Sequence, residues 1–141
     1  MKKILLKTTA ILLIIAGCFS CGKDPTLLKG TKWKLTGFID AMTDVLTVPV
    51  PKDCKDCYTL TFDTEYTAIA HSITIDVHFD LRDLNSNRAI TLMYQDEGYP
   101  NGHGQDFRTA IAIVGSFSLI ADELKLFYYD NKNYLLFKRG K

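Results

Sequence analysis

The chain has 141 residues, 47% of them hydrophobic, with 17 Lys and Arg against 16 Asp and Glu. That length gives one domain enough chain for its own core and leaves none for a second. The near-neutral balance and the lack of a basic stripe exclude a nucleic-acid footprint.

The chain begins MKKILLKTTAILLIIAGCFSCGKDP, a basic start (Lys2, Lys3, Lys7) followed by an apolar run from Ala10 to Ala16. The run has the length of a signal-peptide core and is too short to span a bilayer as a mature helix. Ile15-Ala16-Gly17-Cys18 comes next and resembles the lipobox of bacterial lipoproteins. The resemblance implies cleavage before Cys18 and acylation of its thiol. Cys21 is the alternative acceptor, since cleavage before it leaves only Cys54 and Cys57 beside the anchor. A cleaved signal without lipid is the competing reading. The expected organisation is a lipoprotein signal peptide at 1–17, a lipid anchor and tether at 18–30, and a single domain at 31–141. Gly22, Pro25 and Gly30 keep the tether irregular, and Lys23 and Asp24 keep it solvated. The leader removes only basic groups, so the mature chain is slightly acidic.

Strands dominate the remainder of the chain. Residues 32–39 alternate, with Trp33, Leu35, Gly37 and Ile39 on one face. Residues 48–53 read as extended loop. Residues 58–62 set Tyr58, Leu60 and Phe62 against Thr59 and Thr61. A strand at 72–79 sets Ile73, Ile75, Val77 and Phe79 against Thr74, Asp76 and His78, and one at 89–94 turns Ile90, Leu92 and Tyr94 inward. Residues 95–106, QDEGYPNGHGQD, form a glycine-rich loop. Next, Phe107, Ala110, Ile111 and Val114 stand at helical spacing, with Asp106 to cap the start and Gly115 the end. This predicts one short helix over about 106–115, with a strand as the rival reading because of its β-branched residues. Strands at 116–121, 123–129 and 134–138 close the chain. Turns at 121–123 and 130–133 use Ala-Asp-Glu and Asp-Asn-Lys-Asn, as an antiparallel meander requires. The fold class is mainly β: an antiparallel sheet curled into a sandwich or partly open barrel, with one short helix.

The Trp33 strand together with SFSLIADELKLFYYDNKNYLLFKR, at 116–139, resembles the META-domain or HslJ-like family of bacterial envelope domains. The resemblance spans roughly 29–139 and implies mixed antiparallel β structure with one helix. The Gly-Cys-Asn stretch usual in that family is missing here, so no functional residue carries over, and a lipocalin-like barrel is the competing topology.

Cys54 and Cys57 stand two residues apart in KDCKDCYTLTF. A redox pair works best at a helix N-terminus, whereas here a strand follows. A structural zinc site needs four ligands. His71 and His78, on one continuous strand, would face opposite sides. A local disulfide that stiffens a turn is the expected state of the pair. Asp83, Asn85 and Asn87 suggest a calcium loop, but Arg88 and Tyr94 occupy the positions that need Gly and Glu. No metal and no cofactor is expected.

Ligand contacts are expected first in the 95–106 loop, from Asp96, Glu97, Tyr99 and His103, and at the open end of the sheet beside it. Phe127, Tyr128, Tyr129 and Tyr134 are either stacking groups or hairpin partners. No nucleophile motif or Ser/His/Asp set appears, so no enzyme is expected. The sequence therefore reads as a lipid-anchored domain of a Gram-negative cell envelope, held to the outer membrane on its periplasmic or surface face. Its partners would be the membrane, through the lipid, and an envelope protein or small ligand. A binding or structural module is the leading reading. An apolar-ligand carrier of lipocalin type is the alternative, and it needs a hollow interior.

Overall fold

The computed structural model describes residues 28–84, 97–99 and 101–141. Cys18, Cys21, Asp96, the predicted strand at 89–94 and the Asn85/Asn87 turn lie outside the described residues.

Among the described residues, eight strands and one α-helix come in this order: β1 (Lys32–Asp40), β2 (Val45–Thr47), β3 (Thr59–Phe62), β4 (Thr67–His71), β5 (Asp76–Asp80), α1 (Gly104–Ala112), β6 (Ser116–Ile120), β7 (Glu123–Tyr128) and β8 (Asn133–Arg139). Seven strands form one antiparallel sheet in the order β5-β4-β3-β1-β8-β7-β6, curled into a half-barrel, and β2 pairs with β1 off this path. β1 is central because its long alternating run has two usable edges. β8 takes one along its whole length, while β3 and β2 share the other end to end. The three C-terminal strands form the expected meander.

The core lies on the concave side. Trp33, Leu35, Leu60, Phe62, Leu124, Leu126, Leu135 and Phe137 point inward from alternate strand positions. Helix α1 covers them with Phe107, whose ring centroid lies 5.5 Å from that of Tyr58 and 6.3 Å from that of Phe137.

Three expectations are corrected. First, β1 does not hold one alternation throughout. A bulge between Leu35 and Gly37 puts Thr36 out of register, so Phe38 pairs with Leu135 and Ile39 with Tyr134. Phe38 thereby packs against the core with Trp33 and Leu35, and Ile39 moves to the face shared with Gly37 and Leu46. A Cβ on Gly37 would stand 3.0 Å from the Leu46 side chain, so a larger residue there would push Leu46 outward.

Second, 72–79 is not one strand. β5 begins at Asp76, and β4 precedes it at 67–71, with a turn between. Ser72 N–H donates to the Ile75 carbonyl at 2.9 Å, which closes the turn. The segment at 48–53 is irregular as expected, and the short exposed strand β2, which the sequence did not suggest, stands just before it. Third, α1 starts and ends earlier than the apolar spacing predicts. His103 occupies the N-cap position, Asp106 sits in the first turn, and Ile113 is the C-cap. Gly115 N–H donates to Phe127 O at 2.9 Å and belongs to the strand pairing instead. Gly104, the first residue of the helix, leaves room for the Glu97 carboxylate, with which a Cβ there would collide.

Cys54 and Cys57 are joined as a disulfide with their Cα atoms 5.4 Å apart. Lys34 Nζ donates to the Cys54 carbonyl at 2.8 Å and also to the Cys57 carbonyl, pinning the loop to β1. So short a covalent loop constrains little of the unfolded chain. Reduction and alkylation are expected to cost about 2 kcal/mol or less in a urea titration and to leave the sheet intact.

Candidate functional site

Tyr58 frames the site. It follows the disulfide with φ 57°, in the left-handed region, and is fully buried. Its hydroxyl donates to the Val50 carbonyl and accepts from His103 N–H at 3.0 Å. His103 N–H also reaches Val50 O at 2.9 Å, and Val50 N–H donates to His103 Nδ1 at 2.9 Å. Three distant segments are thus tied at one point. Because Nδ1 accepts, the imidazole proton sits on Nε2, which has no protein partner among the described residues. Burial first, then the charges of Glu97 and Asp106, push the Tyr58 phenol up to about 12 against the lowering contact from His103. It is a neutral structural strut.

Beside this strut lies a cleft of about 290 Å³. Phe38 and His103 line it as one ring pair, with centroids 5.4 Å apart, and Tyr128 and Tyr129 as another, 5.2 Å apart. α1 contributes Asp106 and Thr109, and β2 contributes Thr47. Tyr128 is only 8% exposed. Its hydroxyl has no hydrogen-bond partner among the described residues, yet no fully buried side-chain polar atom is left unpaired. The hydroxyl therefore opens into the cleft. Burial, with Tyr129 and Asp106 nearby, raises the Tyr128 pKa and keeps the phenol a hydrogen-bond donor. Asp106 is exposed and carries no ion pair among the described residues.

The expected loop residues divide. His103 is in the cleft. Tyr99 is 44% exposed and its carbonyl accepts from Gly102 N–H at 3.0 Å. Glu97 turns inward. Its Oε1 accepts from the N–H groups of Ile73, Thr74 and Ile75 at 3.1, 2.9 and 3.1 Å and from the Ser72 hydroxyl, while Oε2 receives Arg108. The Arg108 and Glu97 side chains are each 3% exposed. Arg108 also donates to Gln105 Oε1 at 2.7 Å. This lock holds the β4–β5 turn against α1 and so positions the helix whose side chains line the cleft.

Burial alone would raise the Glu97 pKa. The Ser72 hydroxyl, the Thr74 and Ile73 amides and Arg108 outweigh it, and the net shift is downward. A carboxylate with a depressed folded-state pKa contributes stability that is present above its unfolded value and is lost as pH falls through the folded one. Stability is therefore expected to fall on acidification below the ordinary glutamate range. The acid limb should flatten in Glu97→Gln, as read by thermal unfolding across pH.

Phe38, Thr47 and Arg108 were not legible as site residues. The signal for Arg108 was a cation beside Phe107 within an apolar helical face, 11 residues from Glu97. Phe38 needed the bulge, for which Gly37 is the one local sign.

No family model matches the chain, and no solved structure matches it. A protein of Tannerella forsythia described as "Putative lipoprotein" is 32% identical over 145 aligned residues, covering 99% of this chain and 98% of that protein. The chain belongs to this lipoprotein family.

Two further arrangements in the lipoprotein bear on chemistry. His71 and His78 lie on paired strands rather than one strand, and the hairpin register turns both to the same outer face. His71 Nδ1 contacts Asp76 Oδ1 at 2.5 Å. Among the described residues, no three His, Cys, Asp or Glu side chains gather into a metal-holding group. The aromatic run divides by face: Phe127 pairs with Tyr134 across the β7–β8 hairpin, at 5.3 Å, while Tyr128 and Tyr129 turn to the cleft.

Proposed function

We propose that this lipoprotein is a lipid-anchored binding module of the cell envelope, with no catalytic role, and that its ligand occupies the cleft of Phe38, His103, Asp106 and Tyr128. The observation that carries the reading is the Tyr128 hydroxyl: nine-tenths of the residue is buried, yet its polar atom is held without a protein partner at the mouth of an aromatic cleft. Open to the cleft and unclaimed by the protein among the described residues, it offers a ligand both a donor and an acceptor.

Cys18 is the lipidated residue in this reading, with Cys21 as the alternative acceptor, and the outer membrane is its destination. About ten residues separate Cys18 from Leu28, where the described domain begins, so the tether reaches roughly 35 Å at full extension. It enters beside Lys32, and the cleft lies by Phe38, toward the other end of β1. The cleft thus lies at the end of β1 opposite the point where the tether joins. The META-domain likeness is part of the same proposal, supported by a single helix set before a C-terminal meander. The lipocalin-type carrier has less support, because Phe107, Tyr58 and Phe137 fill the concave side where a carried ligand would sit.

Intact-mass spectrometry on the protein from its own membranes tests the anchor. A chain starting at Cys18 with a diacyl or triacyl mass is the expected result, and a mature chain without lipid overturns it.

A further inference from the structure

We infer that the cleft takes a neutral sugar: one or two pyranose rings stacked on its aromatic side chains and hydrogen-bonded through their hydroxyls. The inference rests on the cleft being the binding site, and it adds the ligand class.

A sugar ring has an apolar C–H face and a rim of hydroxyls, each both donor and acceptor. Its site needs flat aromatic surface together with donors and acceptors in one small space. The cleft has both. Phe38 and Tyr129 supply ring surface, and the exposed face of Tyr129 is not consumed by the core, since the residue is 57% exposed. His103 Nε2–H is a donor with no protein partner among the described residues. Asp106 is an acceptor without an ion pair there. The Tyr128 hydroxyl is free to act as either.

The mixture decides between ligand classes. An organic cation also favours aromatic rings beside a carboxylate, but it offers only donors. It would leave the His103 N–H facing positive charge, and that N–H is fixed toward Nε2 by the Val50 bond to Nδ1. A purely apolar ligand would bury Asp106, Tyr128 and His103 with nothing to satisfy them, which is costly. A polyol with a flat apolar face satisfies all three. The volume of about 290 Å³ sits at the small end of ligand pockets, roughly 300–1,000 Å³, which suits one or two rings rather than a long chain.

Tyr128→Phe isolates the inference. It deletes one oxygen that has no partner among the described residues, so folding should be unharmed and the melting temperature unchanged or slightly higher. A ligand hydroxyl that lost this contact would bind about tenfold more weakly, the equivalent of one hydrogen bond at about 1.4 kcal/mol. The experiment uses the full lipidated chain in detergent micelles. A panel of methyl pyranosides and short neutral oligosaccharides is titrated by heteronuclear NMR, with N-acetyl-arginine amide and hexanoate titrated in parallel. The expected result is saturable shifts of the His103, Thr109 and Tyr129 amides with at least one sugar, weakened about tenfold in Tyr128→Phe. Shifts at those amides with the arginine amide or hexanoate and with no sugar would overturn the sugar and leave the cleft standing. Shifts at those amides with none of the probes would overturn both.

Discussion

Replacing Arg108 by alanine is expected to lower the stability of the domain by about 3–5 kcal/mol. The guanidinium is buried, as is its partner Glu97. Alanine would leave the Glu97 carboxylate inside the protein with its charge uncompensated. Amide donors from Ile73, Thr74 and Ile75 would still hold it, so the β4–β5 turn would persist locally while α1 lost its tie to that turn. Against a total of about 5–15 kcal/mol for a domain of this size, the loss is a large share. Urea denaturation of the detergent-solubilised chain should show the midpoint moving down with little change in slope. The double replacement Glu97→Gln with Arg108→Met removes both charges and should recover part of the loss. Equal loss in the single and double variants would mean that the stranded Glu97 charge is not what lowers stability.

Phe107→Ala is expected to cost a similar amount, about 3–5 kcal/mol, by a different route. Phe107 is fully buried and is the ring by which α1 meets both halves of the sheet, Tyr58 after the disulfide loop and Phe137 on β8. Truncation would leave a cavity among groups that cannot all move, since Tyr58 is also tied to Val50 and His103. The consequence reaches the cleft. With α1 loosened, Asp106 and Thr109 lose their placement, and the amides of His103 and Thr109 should exchange with solvent faster than in the parent at matched temperature. Protection unchanged at those two amides would show that the Val50–His103 bonds alone hold the site.

These two residues also mark where sequence reading succeeded and where it stopped. Phe107 was legible, because it opens an i, i+3, i+4, i+7 series at helical spacing, and the helix prevails over the rival strand reading. The C-terminal meander was legible too. Leu124, Leu126, Leu135 and Phe137 alternate without interruption, and the last turn carries Asp130 and Asn131, which tolerate the positive φ they adopt there. β4 was hidden because Ala68 and Ala70, small and poor in β propensity, form its buried face. The turn at 72–75 was hidden because the partner that consumes its amides, Glu97, lies 22 residues beyond Ile75 in the chain. A strand-like run of Ile-Thr-Ile is indistinguishable from a turn until that partner is placed. The cleft shares this limit. His103 and the tyrosines could be suspected one by one, but their meeting with Phe38 depends on a one-residue bulge that reverses the face of β1.

The aromatic cleft by His103 is, on this account, where the protein meets its ligand. The most direct measurement is an NMR fragment screen on the lipidated chain in micelles, read at every backbone amide. The account predicts that hits cluster on Thr47, His103, Thr109 and Tyr129. Hits confined to the second cleft, of about 250 Å³ between Asp63, His78, Leu84 and Val114, would contradict it, as would a screen in which no fragment shifts the His103 side of the molecule.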